Sequence, residues 1–333
     1  MKTINKKTEA LRFQECCVPI WREKRRSSLS ENIQRDQFRF VGPKSWDLNG
    51  RIWWNKSGAR GSFVGSHGYS EHSGCYDHFA KFWIDKGFHM AMLDLPGHGL
   101  SGGRRGNIDD FDDYVRSVES FFRKLKELNF PGPYYLFAHS LGGLVGVRFL
   151  QTSELAREFE LCILSSPLFG LADQAFHHVG TLVQSDWGLR ILEIATSLVP
   201  NMNFSNDGGM SESLLTHDDS MIRKRMQDTL IQPVVTVNWA REFLKARRLA
   251  FEDIKEIQIP VGIFQSGDDR IVSAYQTEKF FEALQCSGKK FTLYPSLFHE
   301  ILNEVGREQV MEDMYQWVEG ALSASVRSVR GST

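Results

Sequence analysis

Nowhere in the 333 residues is there a run approaching the ~18 to 20 uninterrupted apolar side chains that a membrane-spanning helix requires. Glu9, Arg12 and Glu15 also break any apolar core of a signal peptide, so a cytoplasmic protein is expected. Cysteine is scarce: Cys16, Cys17, Cys75, Cys162 and Cys286 are odd in number and form no C-x-x-C pair, which excludes a disulfide mini-scaffold and favours free, mostly buried thiols. No excess of either charge exists, since 40 Lys plus Arg face 41 Asp plus Glu, and a strongly basic nucleic-acid binder is excluded with it. Low-complexity tracts and internal repeats are missing as well. What remains is 41% hydrophobic side chains, enough for a substantial core in one large α/β domain with an insertion or in two domains.

The near-neutral total hides an asymmetry. Lys2, Lys6, Lys7, Arg12, Arg22, Lys24, Arg25 and Arg26 against Glu9, Glu15 and Glu23 give the first 26 residues a charge of +5, leaving −6 elsewhere.

From about Phe38, short β-branched or aromatic runs alternate with helical patterns, which predicts a mostly parallel sheet flanked by helices. Strands are expected at Phe38 to Val41, Arg51 to Trp54, Ser62 to Ser66, Phe88 to Leu95, Tyr134 to Ala138, Leu161 to Leu164, Val261 to Gln265 and Lys290 to Tyr294. Helices are expected at Tyr76 to Lys86, Phe111 to Leu128, from the 140 region to Gln151, at Ala274 to Leu284 and at Arg307 to Leu322. Between about Leu168 and Glu252 the strand rhythm stops. Helical spacing takes over there, at Leu189 to Leu198 and Val235 to Leu249, which reads as a helical insertion.

At the junction Ala138-His139-Ser140-Leu141-Gly142 an apolar strand meets an apolar helix. A serine on such a sharp turn exposes its hydroxyl above the sheet, provided its neighbours are small. Ala138 stands where this pattern usually has glycine. A serine hydroxyl needs a base to take its proton and an acid to hold that base in the right tautomer. Ser266-Gly267-Asp268-Asp269-Arg270 and Phe298-His299-Glu300 follow the last two strands in the order such folds use. His299 is therefore the expected base, the one histidine in a loop after the final strand. Asp268 and Asp269 both fit the acid by position, and we take Asp269. Attack on an ester carbonyl also needs prepositioned N–H donors for the oxyanion, for which Leu141 and Tyr69, in Ser66-His67-Gly68-Tyr69-Ser70, are the candidates. His67 and His72 match no helical metal-binding spacing, so no metal is expected.

Four segments then carry a family resemblance: His67-Gly68-Tyr69-Ser70-Glu71-His72-Ser73-Gly74, Asp94-Leu95-Pro96-Gly97-His98-Gly99-Leu100-Ser101, His139-Ser140-Leu141-Gly142-Gly143 and Gly267-Asp268-Asp269-Arg270. Together they resemble the monoacylglycerol lipase and lysophospholipase branch of the α/β-hydrolases, over about Phe38 to Leu322. The resemblance implies Ser140 as nucleophile, Asp269 as acid in preference to Asp268, His299 as base, and the N–H groups of Tyr69 and Leu141 as oxyanion donors, with no cofactor. Ala138 and the bulky Tyr69 depart from the small residues common there.

The implied organisation is a basic arm over 1–35, a hydrolase core over 36–167 and 253–325, and a helical cap over 168–252 inserted after the sixth strand. Leu168, Phe169, Leu171, Phe176, Leu182, Val183, Trp187, Leu192, Ile194 and Leu198 give that cap apolar surface, mostly for packing and in part for a single acyl chain. Leu214 to Asp218 and Asn238 to Glu242 also resemble cap segments of the branch, with His217 and Glu242 structural. The substrate implied is a monoacyl lipid, a monoacylglycerol or a lysophospholipid. A thioesterase or short-chain carboxylesterase is the competing enzyme, and a non-catalytic lipid-binding relative the competing class. The arm reads first as a solvated tail and second as a peripheral contact with an anionic membrane face. Oligomeric state is not encoded in any of these patterns.

Overall fold

At the centre of the sheet, apolar runs bounded by turn residues become strands buried on both faces, as parallel strands between two helical layers must be. The computed structural model describes residues 32–172, 203–205, 212–231 and 234–331, side chains excepted at 203–205 and 325–331. Residues 1–31, and with them most of the basic arm, lie outside the described residues. So do Phe176, Leu182, Val183, Trp187, and the expected helix over Leu189 to Leu198.

The strands are β1 (Ile33–Val41), β2 (Asp47–Asn55), β3 (Ser62–Ser66), β4 (His89–Leu93), β5 (Tyr134–His139), β6 (Phe159–Ser165), β7 (Asn203–Ser205), β8 (Val234–Thr236), β9 (Val261–Ser266) and β10 (Lys290–Tyr294). The helices are α1 (Asp77–Asp85), α2 (Asp112–Glu127), α3 (Leu141–Thr152), α4 (Asp219–Met226), α5 (Val237–Glu252), α6 (Ala274–Ala283) and α7 (Arg307–Gly331). Eight strands form one sheet in the order β1-β2-β4-β3-β5-β6-β9-β10. The first three are joined antiparallel, and every pairing from β4 to β10 is parallel.

Alternation along the strands splits the core in two. Val64, Leu136, Ala138 and Leu164 face a layer with α2, α3, α5 and α6, whereas Phe63, Tyr135, Phe137 and Ile163 face α1 and α7. Charge complements the dipole of α2, with Asp112 and Asp113 in its first turn and Lys124 and Lys126 in its last. Register brings Ser66, Ala138 and Leu164 level, with Ser165 beside Phe264 and Ser266 beside Tyr294, so the C-terminal ends of β3, β5, β6, β9 and β10 share one edge. In open α/β sheets that edge is where ligands bind.

Two expectations change in detail. The sheet starts at Ile33, inside the range assigned to the arm, because its polar stretch is held by side chains rather than by burial: Trp54 Nε1 donates to Asp36 at 3.0 Å and Arg35 pairs with Asp77 at 2.7 Å. The insertion is not wholly helical, since β7 and β8 pair antiparallel within it. Three-residue strands are too short to leave an alternating pattern. Cys75, Cys162 and Cys286 are free thiols. Among the described residues no helix is long and apolar enough to cross a membrane.

Candidate active site

Ser140 follows the last residue of β5 and precedes the first residue of α3, with φ 51° and ψ −117°. A non-glycine residue holds such a conformation only when its surroundings over-determine it. Here the Ser140 N–H donates to the Ser165 carbonyl at 3.0 Å, while its own carbonyl accepts from Gly143 and Leu168, each at 2.9 Å. Close approach makes the rest of the turn possible. A Cβ on Gly142 would lie 2.5 Å from the Ser66 carbonyl oxygen and 2.7 Å from that of His67. Ala138, the departure from the usual glycine, is accommodated from the opposite side: a Cβ on Gly146 of α3 would stand 3.2 Å from the Ala138 methyl, and no such atom exists.

Above the turn, the Ser140 hydroxyl lies 2.9 Å from His299 Nε2, and His299 Nδ1 lies 2.8 Å from Asp269 Oδ2. Asp269 Oδ1 accepts the N–H groups of Ile271 at 2.9 Å and Val272 at 2.8 Å, which fixes the carboxylate after β9. Its side chain is 0% exposed and that of His299 5%. Asp268 points elsewhere, half-exposed and 3.3 Å from Arg270. Burial alone would lower the His299 pKa, but the adjoining Asp269 carboxylate opposes it, and the net shift is upward from the ordinary imidazole value of 6.5. A general base must be neutral, so the acid limb of kcat/KM is expected above pH 6.5, with activity lost as pH falls through it. A pH–rate profile on a nitrophenyl ester measures this; a limb well below that value would contradict it.

Leu141 opens α3, where N–H groups have no carbonyl one turn back. Tyr69 lies in the loop after β3, which runs against the serine: a Cβ on Gly68 would stand 3.1 Å from Ser140 Cβ. Among the described residues neither N–H is engaged in a hydrogen bond. The Tyr69 side chain turns away, its phenol bonded to the Val234 carbonyl and its ring centroid 4.5 Å from that of Trp239 in the insertion. Glu71 shapes this loop, accepting from Gly68 N–H and Tyr76 hydroxyl, each at 2.8 Å. Asp94 ties the loop to the Gly-His-Gly-x-Ser segment by accepting from Ser73 N–H at 2.7 Å and Leu100 N–H at 2.9 Å.

Two histidines beside the site, His67 and His72, are held in place by their hydrogen bonds. Leu95 N–H donates to His67 Nε2 at 2.9 Å, and burial pushes His67 down to about 4. His72 Nδ1 accepts from Gly74 N–H at 3.0 Å, so the ring proton sits on Nε2 and donates to Asp228 at 2.9 Å. Cys75 completes a group of ligand-type atoms within 4.8 Å of one another, but with both ring nitrogens so used, His72 offers a cation no lone pair.

Sequence reading missed Glu304. Fully buried, it accepts from Phe298 N–H at 2.8 Å, His217 N–H at 3.0 Å and His217 Nδ1 at 2.8 Å, and so holds the His299 loop against the insertion. Glu242 likewise accepts from Phe111 N–H at 3.2 Å at the start of α2.

A mostly parallel sheet with a serine on the turn after its central strand is the architecture of the α/β-hydrolases, here of the carboxylic ester hydrolase type. The sequence profile of the serine aminopeptidase S33 family matches residues 57–306, and the chain belongs to that family. Within it the similarity falls on the monoacylglycerol lipase and lysophospholipase branch. Phospholipase YtpA of Bacillus subtilis is 32% identical over 247 residues, covering 74% of this chain and 90% of the relative. The monoacylglycerol lipase of Mycolicibacterium smegmatis is 22% identical, covering 85% of this chain and 97% of the relative. Among solved structures, a soluble variant of Saccharomyces cerevisiae monoglyceride lipase superposes with a TM-score of 0.70 at 20% identity, covering 84% of this chain and 93% of that one.

Proposed function

We propose that this protein hydrolyses the ester bond of monoacyl lipids, monoacylglycerols or lysophospholipids, through an acyl intermediate on Ser140. The observation that carries the reading is the continuous chain of hydrogen bonds from Ser140 Oγ through His299 to the buried Asp269. Ser140 Oγ attacks the ester carbonyl carbon as its proton passes to His299 Nε2. The N–H groups of Leu141 and Tyr69 receive the negative oxygen, each such donor being worth about 10² to 10³ in rate. His299 then gives its proton to the leaving alkoxide as the carbon–oxygen bond breaks, leaving acyl-Ser140. Water, deprotonated by the same nitrogen, attacks the acyl carbon; the fatty acid departs and Ser140 recovers its proton. Asp269 keeps the Nδ1–H tautomer and stabilises the imidazolium. No cofactor enters any step.

The named activities of the relatives support the substrate class, monoacylglycerol on one side and phospholipid on the other. The 168–252 insertion serves in this reading as the cap for one acyl chain. Its described part already touches the site through Trp239 on Tyr69 and the Leu215 carbonyl, which accepts from Glu300 N–H at 2.8 Å.

A substrate panel tests this. Turnover of monoacylglycerol, lysophosphatidylcholine and lysophosphatidylethanolamine is compared with an acyl thioester, an aminoacyl anilide, and nitrophenyl esters from acetate to long chains. We expect kcat/KM to rise with chain length and at least one monoacyl lipid to exceed the thioester and the anilide. Preference for acetate, thioester or anilide would sink the substrate assignment while leaving the fold untouched.

A further inference from the structure

The two loops that flank the proposed nucleophile come from opposite parts of the sheet, after β3 and after β10, and something must hold them in register. One side chain touches both. Arg225 of α4 donates Nη2–H to the Ser70 carbonyl at 2.9 Å, next to Tyr69, and Nη1–H to Glu300 at 3.1 Å, next to His299. Its Nε donates to Glu212 at 2.6 Å. The side chain is 12% exposed and that of Glu300 6%. A planar guanidinium aims three bonds in three fixed directions, which a flexible ammonium does not.

Charge makes the placement more than a brace. Glu71 and Glu300 are both buried, and Arg225 is the cation set against them. His299 is faced by Asp269 from the loop after β9, by Glu71 from the loop after β3, by Glu300 on its own loop, and by His139 of β5 with ring centroids 5.1 Å apart. Arg270 lies over the neighbouring Phe298 ring at 4.7 Å.

We propose that Arg225 is a positioning residue for the hydrolytic reaction: a clasp from the insertion that sets the oxyanion loop and the His299 loop at their working separation and balances the buried carboxylates beside the base. This rests on the Ser140–His299 reading above. It makes the insertion a component of the catalytic apparatus and not only a cover.

The test is steady-state kinetics of the full chain with Arg225→Gln and Arg225→Lys, normalised to active sites titrated to completion with a fluorophosphonate. Misplacing catalytic groups by about 1 Å costs about 10²-fold, so R225Q is expected to lose about 10- to 100-fold in kcat per titrated site, with KM little changed. Glu71 and Glu300, no longer balanced, favour the imidazolium, so the acid limb of kcat/KM moves to higher pH in R225Q. R225K restores the limb, because it keeps the charge, but not kcat, because it lacks the fork. Wild-type kcat and an unmoved limb in R225Q would overturn the proposal, as would a loss accounted for by fewer titratable sites. If R225Q fails to fold, R225K decides alone: wild-type kcat per site refutes the clasp, and a lowered kcat with an unmoved limb supports it. Ser140→Ala separates the two ideas. Turnover surviving in S140A counts against the nucleophile, whereas a dead S140A beside a wild-type-like R225Q counts against the clasp only.

Discussion

Asp269→Asn is expected to lower kcat by about 10⁴-fold while leaving the fold and KM nearly unchanged, the size of effect that a wrong tautomer produces in a serine hydrolase. The direction follows from the neighbours of the carboxylate. Ile271 and Val272 N–H groups both need an acceptor at the position of Asp269 Oδ1. An asparagine therefore keeps its oxygen toward them and presents its amide N–H groups to His299 Nδ1. That nitrogen must then accept, the ring proton moves to Nε2, and the face toward Ser140 becomes a donor that cannot take the serine proton. Burial at 0% exposure blocks solvent rescue of the wrong tautomer. Kinetics on a long-chain nitrophenyl ester measure the loss, and thermal denaturation checks that structure is kept. A decrease of less than tenfold would mean that the Asp269–His299 contact does not set the tautomer.

Ser140→Ala should do more, about 10⁴- to 10⁶-fold in kcat, since only the oxyanion donors and binding remain to assist water. The alanine is also a clean substitution structurally. The turn is fixed by backbone bonds to Ser165, Gly143 and Leu168, none of which uses the hydroxyl, so the loss should come without loss of stability. It should relieve nothing either, because alanine at φ 51° carries the same backbone strain. Hydrolysis of monoacylglycerol and loss of fluorophosphonate labelling report it together. Residual turnover within 100-fold of wild type would remove Ser140 from the chemistry.

Much of this was legible in the sequence, for reasons particular residues make plain. β3 and β10 begin and end where the apolar runs do, at Ser62–Ser66 and Lys290–Tyr294. Gly-x-x-Glu-His-Ser and Gly-His-Gly-x-Ser are informative because buried carboxylates accept from their backbone N–H groups: Asp94 from Ser73 and Leu100, Glu71 from Gly68. Local spacing encodes local bonds. Asp268 and Asp269 could not be separated by position, because neighbours in a loop point to different sides; the structure joins Asp269 to His299 and leaves Asp268 with Arg270. Arg225 and Glu304 were illegible for a different reason. Arg225 reaches Glu300 and Glu304 reaches His217, 75 and 87 residues away along the chain, and nothing in a single charged residue announces such a contact. The same holds for the start of β1, where polar side chains find partners on β2 and α1 instead of following an apolar pattern.

Acyl transfer to Ser140 is the central claim, and mass spectrometry of the quenched enzyme tests it most directly. Rapid mixing with a long-chain nitrophenyl ester, acid quench and peptide mapping should show one acyl group per active site on the peptide bearing Ser140, none in S140A. Full turnover with no adduct, or with the acyl group on another residue, would contradict the account.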